Sequence, residues 1–278
     1  MILVIGATGD IGSKVLHRLS EADVQTRALS RAPSRGEALP RVEWAKADLA
    51  EPETLYPAFD GVDRLFLLTG NVRSMAQLQK NAVDEAVAAG VDHVVKLSAR
   101  GAQPQSKSAI GRWHHEVEIH LKASELSWTM LRPHVFMQNL LDQAERIRSG
   151  GTIRAAAGDG RIPFIDTRDI ADVVGTVLTE PVEKHANETY LLTGGVALNY
   201  EQVAAVLGAA TNRDLEYVAE SFAEYQRAGG ETARVTRDVF EVTGHPPRSM
   251  IQFAYDHRRR FAEHDAPPAA ERAEPVPS

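Results

Sequence analysis

The chain has 278 residues, 43% of them hydrophobic, enough for one large or two modest domains with a sizeable buried core. Its 31 Lys and Arg against 38 Asp and Glu leave a net charge of −7, and the only basic cluster is the short HRRR at 257–260, which argues against a nucleic-acid or anionic-membrane surface. Cysteine is absent, which excludes disulfides, thiolate catalysis and cysteine-bearing zinc sites.

The opening apolar run MILVI stops at Gly6 with no basic region before it, too short for a secretion signal or a membrane span, and the reading is of a cytoplasmic protein. From there short β-branched runs alternate with longer helical stretches. Strands are expected at 2–5, 24–29, 42–45, 65–68, 94–97, 128–131 and 190–193. Helices are expected at 11–21, 52–59, 75–89 with Gly90 as the stop, and 112–122. That alternation describes an α/β fold, a doubly wound parallel sheet of Rossmann type covered by helices on both faces. Residues 1–132 form the expected dinucleotide-binding core. After Arg132 the rhythm changes: an insertion containing AAAGDGRIPF precedes a helix opening at DTRDIADVVGTVL. Residues 133–264 therefore read as a smaller C-terminal substrate lobe interleaved with the last strands and helices of the core. The Pro-, Ala- and Glu-rich stretch 265–278 has no apolar period and is expected to be disordered.

GATGDIG follows the first strand and opens a helix, with Gly6, Gly9 and Gly12 at the spacing of a dinucleotide loop. One glycine permits a positive φ, one lets backbone approach a pyrophosphate, and one lets helix pack on strand; the phosphate then sits at the helix N-terminus. The second strand runs into RALSRAPSR, which offers Ser30, Arg31 and Arg35 and no carboxylate. An NAD site uses an acidic residue there to hold the ribose hydroxyls, whereas a guanidinium suits a 2′-phosphate, so NADP(H) is expected in preference to NAD(H). Asp48, ending the third strand, is either an acceptor for the adenine amino group or a helix cap.

These motifs, with LSRAP, ADL, VVKLSA, LRPHVFMQNLL and PFIDTRDIADV, are those of the NmrA-like family of atypical short-chain dehydrogenases/reductases, which the chain resembles over roughly residues 1–200. The likeness is to its quinone-reductase and triphenylmethane-reductase branch. The resemblance implies that Gly6, Thr8, Gly9, Asp10, Ile11 and Gly12 hold the pyrophosphate and that Ser30, Arg31 and Arg35 hold the adenosine phosphate. It places Thr69, Gly70 and Asn71 at the ribose, Ser98 and Ala99 beside the nicotinamide, and Pro133, His134, Val135 and Phe136 over the reactive end of the cofactor. Phe136, Asn139 and Phe164 would lie near the substrate; Asp166 and Asp169 are equally well explained as helix-capping carboxylates.

The short-chain dehydrogenase pair Tyr-x-x-x-Lys is missing: no tyrosine occurs between Ser98 and Arg132. The equivalent helix carries RWHHEVEIH, with His114 and Glu118 one turn apart on the face that Val117 and Leu121 mark as sheet-facing. No two histidines fall at the i, i+4 spacing of a zinc helix, so no metal is expected. His114 and Glu118 are the candidate catalytic pair, Glu118 orienting the imidazole and raising its pKa, or else a structural hydrogen bond. The expected activity is hydride transfer from NADPH to a quinone, an enone or another conjugated acceptor, by a monomer or homodimer. The alternatives are a regulatory protein that senses NADP(H) without turnover, and a tailoring reductase, isomerase or cyclase on the same fold. Phe222, Tyr225, Phe240, Phe253 and Tyr255 are candidates for either pocket wall or core.

Overall fold

The computed structural model describes residues 1–33, 36–220 and 233–262. Arg35, Phe222, Tyr225 and the stretch from 265 onward lie outside them. The chain divides into two compact units, Met1–His134 with Thr167–Leu192 and Arg237–His245, and Val135–Asp166 with Thr193–Thr236 and Pro246–Ser278.

In the first unit β1 (Ile2–Val4), β2 (Thr26–Ser30), β3 (Val42–Lys46), β4 (Arg64–Leu67), β5 (His93–Leu97), β6 (Ser127–Pro133) and β8 (Glu188–Leu192) form one seven-stranded sheet. Its order is β3-β2-β1-β4-β5-β6-β8, and every pairing is parallel. The order reverses between β1 and β4, and in a doubly wound sheet that switch point opens a crevice at the strands' carboxyl ends. Helices α1 (Asp10–Glu21), α2 (Tyr56–Phe59), α3 (Met75–Ala89), α4 (Ala109–Ala123), α6 (Thr167–Thr179) and α8 (Asp238–Thr243) belong to the same unit.

The inner strands β1, β4 and β5 are buried on both faces, which is why they read as nearly continuous apolar runs rather than alternating ones, whereas the edge strands β3 and β8 are only partly buried. Leu3, Ile5, Leu65, Leu67, Val94 and Met130 pack in one cluster with Phe59 of α2, Ala82, Val83 and Ala86 of α3 and Leu121 of α4. Ile2, Val4, Phe66 and Val95 alternate with them and are buried at the opposite face. There α6 packs on α1, and its N-terminal Thr167 hydroxyl donates to Asp10 Oδ2 at 2.7 Å. The expected stop of α3 is a left-handed Gly90 at φ 72°, whose N–H closes the last turn on Ala86 and Val87.

The second unit holds α5 (Ala144–Gly150), β7 (Thr152–Ala155), α7 (Tyr200–Thr211), β9 (Glu216–Ala219), α9 (Met250–Asp256) and α10 (Arg258–Phe261). β7 and β9 pair in parallel, Thr152 with Glu216 through Ala155 with Ala219. Neither strand is among those the sequence predicts. Capping boxes start α7 (Asn199 with Gln202) and α9 (Ser249 with Gln252). Phe164, Ile153, Leu207, Phe253 and Phe261 fill this unit's core, with the Phe164 ring edge-on to Tyr200 at 5.4 Å. Phe253 is therefore core. Phe240 and Tyr255 are 42% and 52% exposed, so of the described aromatic candidates only Phe253 contributes to a packed interior.

Candidate active site

The turn from β1 into α1 is built by two glycines that cannot be exchanged. Gly6 takes φ +80°, and a β-carbon on it would come within 2.7 Å of the Leu68 carbonyl oxygen. On Gly12 a β-carbon would run into the Gly6 carbonyl, because helix and strand approach that closely. Gly9 differs: its φ is −86°, its N–H bonds Gly6 O at 3.0 Å, and a β-carbon there would meet only that carbonyl oxygen, at 3.4 Å. The loop thus keeps open space at Gly9 beside the first free N–H groups of α1, the arrangement that suits a pyrophosphate.

A cavity of about 750 Å³ opens beside this loop, within the range of small-molecule and cofactor sites. Gly6 and Thr8, Ser30 and Arg31, Asp48, and Thr69 and Gly70 all line it, so these four stretches of the sequence converge on one hollow. Asn71 is exposed and is not part of the lining; the chain turns outward there and returns through Val72 and Ser74, which are. Leu78 and Ala50 complete an apolar wall for which the sequence carried no signal.

At the end of β2 the Ser30 hydroxyl accepts the Ala32 N–H at 3.1 Å. Arg31 is exposed, lines the cavity and makes no ion pair among the described residues. Asp48 accepts the Ala50 N–H at 3.0 Å through Oδ1, a local turn that leaves Oδ2 for a ligand, so capping and recognition are compatible there. Thr69 is steadied from behind by Gln79, which is fully buried and donates to its hydroxyl oxygen at 2.8 Å. Asp10 is held by Thr167 and by Lys14, while Ile11 is buried under the loop.

Farther along the strand ends, β5, α4 and β6 bring Lys96, Ser98, His114, Glu118 and Arg132 together. All but Arg132 are less than 6% exposed. Here the expected His114–Glu118 pair is corrected. Glu118 gives Oε1 to the Ser98 hydroxyl at 2.6 Å and to Arg132 Nε at 2.9 Å, and Oε2 to Arg132 Nη2. The helical spacing placed both side chains on the sheet-facing side, but Arg132 in β6 takes the carboxylate, because a planar guanidinium matches it at two points. His114 Nδ1 instead meets Lys96 Nζ at 2.9 Å. Burial first, and then the positive charge of Lys96, pushes the imidazole down to about 3 rather than up. His114 is consequently neutral throughout the physiological range.

On the outer face of α4, Glu116 bonds Lys80 and His120 bonds Asp84, so RWHHEVEIH is an amphipathic helix whose polar edge is tied to α3. No cluster among the described residues could hold a metal ion, and no described helix is long and apolar enough to cross a membrane. Ser98 is drawn into the buried cluster, and Pro133 and His134 continue β6, where Pro133 O accepts the Arg100 N–H and the His134 N–H bonds Leu192 O at 2.9 Å. Ala99 follows Ser98 in the same loop. Val135, Phe136, Asn139 and Phe164 belong to the second unit, where Phe136 bridges Ile165, Asn139 N–H bonds Phe136 O and Phe164 is buried in the core. Asp166, fully buried just ahead of α6, accepts from Gln138 Nε2 at 2.9 Å.

Lys96 and Arg132 were missed as functional candidates. A lysine inside the otherwise apolar HVVKL was a readable signal, since a charge at the centre of a doubly covered sheet is costly unless something there uses it.

A parallel sheet with this strand order, a glycine turn at its switch point and a cavity at its carboxyl edge define a nucleotide-binding Rossmann protein. The profile of the NmrA-like family matches residues 1–244. NAD(P)H azoreductase of Xenophilus azovorans is 38% identical over 285 residues, spanning 94% of this chain and 99% of that protein. The (4-alkanoyl-5-oxo-2,5-dihydrofuran-3-yl)methyl phosphate reductase of Streptomyces griseus is 35% identical over 289 residues, with the same coverage of both. Among solved structures, the NADPH-dependent quinone oxidoreductase of Escherichia coli in complex with NADPH aligns with a TM-score of 0.85 at 25% identity, over 92% of this chain and 99% of that one. The chain belongs to the NmrA-like family, and within it to the oxidoreductases.

Proposed function

We propose that the protein is an NADPH-dependent reductase acting on a quinone, an enone or another conjugated small molecule. The observation that carries this reading is Arg31: an exposed cation, with no ion pair among the described residues, lining the cavity at the end of β2 where an NAD site has a carboxylate. Ser30 and Arg31 would hold the adenosine 2′-phosphate, Gly9 and the N-terminal N–H groups of α1 the pyrophosphate, and Asp48 Oδ2 the adenine amino group. Thr69 fits beside them as a hydroxyl whose oxygen already accepts from Gln79, which leaves its proton to donate into the cavity. Bound NADPH would supply the hydride.

The chain's own part in the reaction is to meet the charge that develops on the acceptor. No tyrosine stands on α4 to do so. In this reading His114 serves, as a neutral hydrogen-bond donor rather than as an imidazolium, a role open to a histidine at a reacting centre when its surroundings keep its pKa low. Conjugated acceptors spread the incoming charge, so a weak donor held in place suffices, and most of the rate comes from orientation and exclusion of water. Glu118, locked to Arg132 and Ser98, holds the frame in which this happens. The relatives' own acceptors, an azo compound, a furanone phosphate and a quinone, are all conjugated, which favours this substrate class.

The test is a set of assays that follow NADPH oxidation at 340 nm with quinones, enones, imines and azo and triphenylmethane dyes. Steady turnover on at least one of these supports the reading. Tight NADPH binding with no oxidation across the whole panel would contradict it in favour of a nucleotide sensor.

A further inference from the structure

We propose that Lys96 is a positioning residue that fixes the tautomer of His114, so that the imidazole carries its proton on Nε2. This deepens the proposed role of His114 and rests on it. Lys96 is fully buried near the carboxyl end of β5, yet it makes no ion pair among the described residues; its ammonium reaches only the Leu97 carbonyl at 3.3 Å and His114 Nδ1 at 2.9 Å. The carboxylate that could have neutralised it, Glu118, is engaged by Arg132 and Ser98. A buried cation without a carboxylate partner is a poor device for stability and a good one for control of a neighbour.

An ammonium has three donors and no acceptor, so the ring nitrogen facing it must be the unprotonated one. The proton is thereby forced to Nε2. That atom makes no hydrogen bond to any described residue, and it is not among the buried polar atoms left without a partner, so it is the nitrogen that reaches solvent. The ionisable groups packed around this contact are Glu118 on α4, Arg132 on β6 and Lys96 on β5. Burial depresses Lys96 to about 7, with Glu118 opposing and Arg132 adding to the shift, so at pH 6 the ammonium form prevails.

The experiment uses the full chain with ¹⁵N-labelled histidine and long-range ¹⁵N–¹H correlation spectra at pH 6, with His114 assigned by its loss in His114→Gln. The wild type should show a neutral ring protonated at Nε2, and a ring protonated at Nδ1 would overturn the proposal without recourse to any variant. Lys96→Met leaves Glu118 and Arg132 balanced and nearly preserves the side-chain volume, so it should fold. In it the His114 signals should move toward a mixture of tautomers, and its titration should rise by at least one pH unit. Unchanged signals in folded Lys96→Met would likewise overturn the proposal. Turnover separates this from the reading it rests on: wild-type kcat in His114→Ala would remove His114 from the chemistry while leaving the tautomer result to stand or fall by the spectra.

Discussion

Glu118 engages Arg132 through both carboxylate oxygens, so the acid one helical turn beyond His114 is committed before it can reach the imidazole. Removing one partner of a buried pair leaves the other uncompensated, at a cost of about 3 to 5 kcal/mol when both are dry. The Arg132 side chain is 27% exposed and can recover some hydration, so Glu118→Gln should cost less than a fully dry pair, about 2 to 3 kcal/mol, in urea denaturation. A loss below about 1 kcal/mol would show that the pair is incidental to the fold. The same variant withdraws the negative charge that sustains the Lys96 ammonium, so the alkaline limb of any activity profile should move to lower pH.

His114→Ala should leave NADPH affinity within about twofold and lower turnover by roughly 10² to 10³, the range for loss of one hydrogen-bond donor to a developing anion. Binding by fluorescence titration and kcat at saturating NADPH check the two halves separately. A fall in affinity matching the fall in turnover would make the histidine a binding residue.

Acid stability should be governed by His93 and His114. Burial, then the charges of Arg64 and His185, lowers His93 to about 4, and its Nε2 bonds Thr129 Oγ1 at 2.8 Å. The folded state therefore holds fewer protons than the unfolded chain between about pH 6.5 and 4, so stability is complete above 6.5 and is lost as pH falls through that window. At about 1.4 kcal/mol per pH unit, His93 contributes roughly 3 kcal/mol of this loss, and His114 acts in the same direction. Chemical denaturation across pH 4 to 7 should show a shallower slope in His93→Gln; an unchanged slope would place the titration elsewhere.

The glycine turn separates folding from binding. Gly12→Ala forces a methyl group into the Gly6 carbonyl and should destabilise the protein by about 1 to 3 kcal/mol. Gly9→Val meets no such obstruction and should fold, with a melting temperature near wild type, yet lose nucleotide affinity by more than a hundredfold because the branched side chain fills the space left for phosphate. Retained affinity in folded Gly9→Val would make the loop purely structural.

How far the sequence could be read follows from where its information is local. Apolar runs such as ILV and RLFL are buried on both faces, so their strands fell within two residues of prediction. β7 and β9 escaped because TIRA and EYVA are half-exposed and each pairs with a segment some sixty positions away, a contact no periodicity announces. Helical spacing placed His114 and Glu118 on one face, but the partner each side chain finds is set by the strands beneath: Lys96 in β5 and Arg132 in β6. Asn71 was assigned by its position after β4, and the outward turn that removes it from the cavity is a loop property invisible in its residue type.

The most direct test of the account is the cofactor preference of the wild type and of Arg31→Ala, measured by parallel titration with NADPH and NADH at one fixed ionic strength. One charge-assisted contact to the 2′-phosphate is worth about 1.5 to 3 kcal/mol, so the wild type should bind NADPH at least about tenfold more tightly. Arg31→Ala should lose that preference by weakening NADPH alone, with NADH affinity unchanged. Equal or tighter binding of NADH by the wild type, or a preference for NADPH that survives Arg31→Ala intact, would contradict it.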